Sequence, residues 1–291
     1  MKKTNKVLVI GSRLDPVIRF FARSIASRIQ KKHFFYFVDH EEFGEDIHLD
    51  DEKWTLPSGR QIPHEQVVGV WNRMVNTRGS KNSIISQMET FSAYLMNNVY
   101  QNVLNRPLDG MSNYAKLYQL DLLKLKRLNK VDSVMFANCM MSTPTQTVSN
   151  IYKSASGFRS VVREVLNSDK HRWVREPVLF QTNIRGMNIR VHVIGSKAIA
   201  CICDSAAIDY RYAKAVKLER FDLPKWLEKE CIHISQQLGL IFAGIDLIQC
   251  NDQFFLLEVN PAPGYAFFDI DASISNAIVD FFLDAACMTS H

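Results

Sequence analysis

Asp246, Glu258 and Asn260 place oxygen-bearing side chains inside a run, 244–261, that is otherwise largely apolar. The run reads as two short strands joined by a polar turn. Glu258 and Asn260 are two residues apart and therefore leave one strand on the same face. A three-residue loop at 251–253 would set Asp246 opposite Glu258 and bring all three together. Buried carboxylates are costly unless they are paired or bind a metal. Carboxylate and amide oxygens are hard-cation ligands, and Mg²⁺ held by few protein ligands usually also binds phosphate oxygens. The chemistry suggested is phosphate chemistry.

A second group of residues surrounds this one in the sequence. The segment 189–195 alternates strictly, with Arg190, His192 and Ile194 on one face and Val191 and Val193 on the other. Arg190 is thus an inward cation, and His192 reads as a core or cleft residue. Arg163 lies in a strand-like stretch, 161–165. Arg73 closes the stretch 67–73, Lys116 lies near the start of a helical segment, and Asp209 and Arg211 occupy a polar loop. Pro261-Ala262-Pro263-Gly264-Tyr265 reads as a turn.

Positioning these groups takes a sizeable scaffold, and 291 residues provide one. Apolar residues make up 47% and charged residues 22%, a globular balance. A formal charge of +5 suits anionic ligands such as nucleotides, while the absence of a Lys/Arg run argues against nucleic acid as partner. Lys124, Lys126, Arg127 and Lys130 read as the solvated face of one helix. The basic start is followed by only four strongly apolar residues, too few for a signal peptide or a membrane span. Six scattered cysteines with no CxxC pair fit reduced thiols and a cytoplasmic location. A homodimer is the default assembly expected of such a chain.

Along the chain, a buried-type strand at 6–12, a helix at 16–30 and an aromatic strand at 34–38 make a βαβ opening and imply a parallel sheet. The Gly11-Ser12 turn lacks G-x-G-x-x-G, which argues against a dinucleotide site. Helices are expected at 83–104, 114–128 and 224–238, the last stopped by Gly239, with an extended stretch at 143–149. Strand-like segments fall at 67–71, 161–165, 177–181 and 189–195. Natural boundaries near 105 and 170 give three parts: 1–105, an N-terminal α/β domain; 106–170, a central subdomain; and 171–291, which carries the oxygen triad.

In this order the motifs resemble the ATP-grasp superfamily over nearly the whole chain. Asp246 followed by Glu258-Val259-Asn260-Pro261 resembles the family's metal-binding aspartate and Glu-x-Asn motif. Pro177 to Ile184 and Gly186-Met187-Asn188-Ile189-Arg190-Val191 are similar to the adenine-hinge strand and G-x-D-I-R-V segment of the branch whose ligases add glutamate to a ribosomal protein. Val70-Trp71-Asn72-Arg73 and Asp209-Tyr210-Arg211 resemble the ligases that cyclise microviridin-type (graspetide) peptides.

The resemblance implies an N-terminal α/β domain followed by two α+β subdomains clamping ATP. It also implies activation of a carboxylate as an acyl phosphate, which an amine or hydroxyl then attacks. On that basis Asp246, Glu258 and Asn260 would hold Mg²⁺ on ATP, and Arg190 would face the transferred phosphoryl group. Gln181 and Ile184 would hold adenine with Leu257 on its face, and Lys116 would reach a phosphate. Arg73, Asp209 and Arg211 would meet the carboxylate substrate, a peptide or an amino acid. Arg163 is read at the place of the family's phosphate-binding lysine and Thr182 at that of a common glutamate. Asn188 replaces a frequent aspartate, and the loop 167–171 is read in place of a glycine-rich one. The rival readings are a ligase of free amino acids and a nucleotide-binding protein without catalysis.

Overall fold

Val7, Leu8, Val9 and Ile10 are fully buried, which suits a strand covered on both faces in a parallel sheet. The computed structural model of the chain describes residues 5–26, 34–74, 83–110, 116–141, 151–154, 162–166, 168, 172–205 and 215–288. They divide into two compact units. One comprises Met1–Gly110, Leu240–Phe242 and Gly264–His291, and the other Met111–Gly239 and Ala243–Pro263. The residues after 263 thus group with the N-terminal ones, and the stretches on either side of 170 fall in one unit.

In the first unit, β1 (Lys6–Gly11) pairs in parallel with β2 (Phe35–Asp39) on one side and β6 (Val67–Arg73) on the other. Between β2 and β6 runs a small antiparallel sheet of β3 (His48–Leu49), β4 (Lys53–Thr55) and β5 (Gln61–Pro63). Its buried Trp54 donates an indole N–H to the Tyr100 hydroxyl at 2.8 Å. Helix α1 (Pro16–Ala26) buries Val17, Ile18 and Phe21, and the Phe21 ring meets Trp71 and Phe35 edge-on. Each such side chain contributes about 1.5–3 kcal/mol through its burial.

Helix α2 (Ser83–Asn98) stops short of the 104 expected. Arg106 ends it by donating to the carbonyl oxygens of Met96, Asn97, Tyr100 and Gln101. The freed Val103 and Leu104 are fully buried as β7 (Val103–Leu104), paired in parallel with β6. A last helix, α5 (Ser273–Met288), packs on β6 and α1, with its N-terminal amides on the Asp269 carboxylate.

The second unit holds two mainly antiparallel sheets. The four-stranded one is ordered β12 (Arg163–Glu164), β11 (Ile151–Ser154), β14 (Val178–Gln181) and β9 (Ser133–Phe136). Beside it β10 (Cys139–Met140) pairs with β13 (Trp173–Val174). The six-stranded sheet runs β17 (Lys217–Phe221), β16 (Lys197–Asp204), β15 (Met187–Ile194), β18 (Phe242–Cys250), β19 (Gln253–Asn260) and β8 (Asn129–Lys130).

Helix α4 (Lys225–Gln237) packs on β15 and β16 through Leu227, Cys231 and Ile234 and ends before Gly239, whose φ is +70°. Helix α3 (Lys116–Leu122) packs on β19 and ends before the 128 expected. Beyond it the Lys124 and Lys126 amides donate to the side chains of Gln237 and Glu230 instead of continuing a helix, and Arg127 stacks on Trp226. The four cations at 124–130 therefore do not form one helical face. The stretch expected at 143–149 lies outside the described residues, and no described helix is long and apolar enough to cross a membrane.

Candidate active site

The face of β18 and β19 is set by a bulge. Cys250 pairs with Gln253, so the turn has two residues, Asn251 (φ +54°) and Asp252, and not the three expected. Leu247 pairs with Leu256, yet Asp246 pairs with Glu258, which leaves Leu257 as an extra residue. The burial follows this slip: Phe254 and Leu256 are buried, and then Val259. Glu258 and Asn260 are thereby turned away from the apolar side, beside Asp246 and Gly244. The carboxylate pairing expected from the sequence is present, by a different construction of the hairpin.

Arg190 lies across this face. Its Nη1 is 2.8 Å from Asp246 Oδ1, and both side chains are less than a tenth exposed. Its Nε donates a long bond, 3.5 Å, to Nε2 of the fully buried His192. Gly244 makes room for it, because a Cβ there would collide with the guanidinium and with Pro263. Nearby, burial, and secondarily the Asp246 charge, push the Cys203 thiol up to about 12, so that it stays protonated.

Glu258 is matched by Lys116 Nζ at 3.2 Å, from the first turn of α3. Asn260 Oδ1 accepts from the Ala262 amide at 3.0 Å and keeps a second lone pair. No three His, Cys, Asp or Glu side chains gather as a metal cluster among the described residues. The set here, two carboxylates and an amide oxygen, suits a hard cation that keeps water or phosphate among its ligands.

On the four-stranded sheet, Gln181 is buried and donates through Nε2 to Ser133 Oγ at 2.9 Å. The Thr182 amide donates to the Asp132 carbonyl at 3.0 Å. The Thr182 hydroxyl is buried without a hydrogen-bond partner among the described residues. Ile184 and, on β19, Leu257 are half-buried.

Arg163 does not stand on the central strand. It is exposed on β12 at the sheet's edge, and Lys153, only 6% exposed, occupies β11 between β12 and β14. The segment that follows the central strand is therefore 155–161, which lies outside the described residues, and not 167–171. Sequence reasoning missed Lys153, although a lysine alternating with Ile151 in a strand and followed by Ser-Ala-Ser-Gly was a usable signal.

Arg73 belongs to the first unit, at the C-terminal end of β6, with Nε on Asp15 Oδ2 at 2.7 Å. Asp209 and Arg211 lie outside the described residues.

Residues 153–281 match the family model described as the RimK-like ATP-grasp domain. No curated protein matches the chain in sequence. Among solved structures, the ATP-grasp ligase PsnB complexed with minimal precursor is 21% identical with a TM-score of 0.76, over 97% of this chain and 99% of that one. PsnB is also known complexed with minimal precursor, Mg and ADP. A Chryseobacterium gregarium RiPP-associated ATP-grasp ligase, in complex with ADP and a leader and core peptide, is 18% identical with a TM-score of 0.74, over 97% of each chain. D-alanine–D-alanine ligase from Bacillus anthracis is 12% identical with a TM-score of 0.62, over 99% of each. The fold is that of the ATP-grasp superfamily, as the motifs led one to expect.

Proposed function

We propose that this protein is an ATP-dependent ligase that activates a carboxylate on a peptide as an acyl phosphate and joins it to an amine or hydroxyl. The observation that carries the reading is the convergence of Arg190, Asp246, Glu258 and Asn260 on one face of a sheet in an ATP-grasp fold. The peptide follows from the precursor, leader and core peptides bound by PsnB and the Chryseobacterium enzyme.

Asp246, Glu258 and Asn260 would hold Mg²⁺, which when bound neutralises charge on the β- and γ-phosphate oxygens. Arg190, fixed by Asp246, presents its guanidinium to the phosphoryl group in transfer and to the acyl phosphate. Lys116, paired with Glu258 at 3.2 Å, would reach a phosphate of ATP beside the cation. Lys153 takes the phosphate-contacting role first read for Arg163, because it is the cation on the central strand. Thr182 offers the nucleotide its orphan hydroxyl, and the edges of Gln181 and Ile184, with Leu257, frame adenine. Arg73 stands at the C-terminal end of a parallel sheet, where open α/β sheets bind ligands, which supports a substrate-carboxylate role for it; for Asp209 and Arg211 the same role rests on the resemblance alone.

The test is ADP release from Mg·ATP in the presence of acidic, Ser/Thr/Lys-containing peptides. Wild-type protein releases ADP with such a peptide, and Glu258→Gln abolishes release while unfolding at the same temperature. Full turnover in that variant overturns the proposal, and release with free amino acids alone replaces the peptide by a small substrate.

A further inference from the structure

Beyond Leu256, no described strand lies along the edge of β19 opposite β18. Its outer neighbour β8 pairs only with Phe255 and Leu256, so residues 257–260 run past the end of that partner. The place is taken by a side chain. Gln119, fully buried on α3, donates from Nε2 to the Val259 carbonyl at 2.8 Å and accepts the Val259 amide on Oε1 at 3.0 Å. A side-chain amide has the donor and acceptor spacing of a peptide group, so Gln119 acts as one residue of a missing strand.

We propose that Gln119 is a positioning residue for the cation-holding strand, fixing the orientation of Glu258 and Asn260 through the backbone between them. This rests on the ligase reading above. Val259 is the only residue between the two oxygen donors, so turning its peptide planes swings both side chains. Lys116 and Gln119 are three apart on α3 and share a face, so one helix side grips Glu258 by its charge and Val259 by its backbone. The bulge immediately upstream interrupts pairing with β18 only at Leu257, and pairing resumes at Glu258, Val259 and Asn260, so Gln119 holds the edge of this stretch opposite β18.

The experiment uses Gln119→Met, which keeps the length and loses both bonds, and Gln119→Glu, which keeps only the acceptor. Calorimetric ADP binding is measured at increasing MgCl₂, with amide hydrogen exchange of the nucleotide-free protein alongside. For Gln119→Met, half-saturating Mg²⁺ rises about tenfold, ADP affinity without Mg²⁺ stays within about twofold, and the Val259 amide exchanges at least about tenfold faster while α4 amides are unchanged. Gln119→Glu gives a smaller Mg²⁺ shift and stands in should the Met variant fail to fold. A folded variant with wild-type Mg²⁺ dependence overturns the positioning role alone. Wild-type protein whose ADP binding ignores Mg²⁺ overturns the ligase reading and this inference with it.

Discussion

The two sheets of the second unit treat their buried polar groups differently. In the six-stranded sheet each charge of the candidate site is answered by the protein: Asp246 by Arg190 and Glu258 by Lys116. Beside the four-stranded sheet, the Thr182 hydroxyl is buried and satisfied by no described group. Buried ion pairs contribute little net stability, but breaking one from one side is costly because the other charge remains. The charges of the first sheet are thus held in ion pairs, whereas a hydroxyl beside the second has no described partner. On the proposed reading, the first sheet serves reaction geometry and the second nucleotide capture.

The contrast is most exposed at Arg190. Arg190→Met should lower ADP release by about 10³-fold and destabilise the protein by about 3–5 kcal/mol, since Asp246 loses its guanidinium. Arg190→Lys should recover part of the stability and little of the rate, as read by thermal unfolding and single-turnover assays. Normal turnover in either variant would erase the distinction between the sheets.

A smaller effect is expected from Lys153→Met, which should raise KM for ATP by about 10- to 100-fold, the weight of a hydrogen bond to a charged group. Arg163→Met should stay within about twofold of wild type. Equal effects of the two would return the phosphate contact to the edge strand. Smallest of all, Thr182→Val should leave thermal stability unchanged or slightly higher, because it removes an unsatisfied hydroxyl, and weaken ADP binding about fivefold. A loss of stability on that substitution would show that the hydroxyl already has a structural task.

Much of this was legible in the residues themselves. The apolar flanks of Asp246, Glu258 and Asn260 marked the triad, and strict alternation made Arg190 an inward cation; only the resemblance brought the two together. What escaped was set by distant partners. Lys153 was passed over because Arg163, in the apolar stretch 161–165, was the more conspicuous cation nearby. Helix α2 was extended too far because nothing local reveals that Arg106 gathers its last carbonyls. Gln119 was invisible, since a glutamine within a helix looks like any solvated one until its partner on β19 is known.

The hairpin that carries Asp246 and Glu258 also constrains how this sequence can change. Its turn length and its bulge are a matched pair. One more residue in the turn with none at 257 preserves the Asp246–Glu258 pairing, as the three-residue loop first envisaged would have done. A single insertion or deletion on either side alone reverses which side chains beyond it point outward, and Val259 would then change places with Glu258 and Asn260. Homologous hairpins should therefore differ by compensated length changes or none, a parity rule that applies even where not one of the intervening residues is shared.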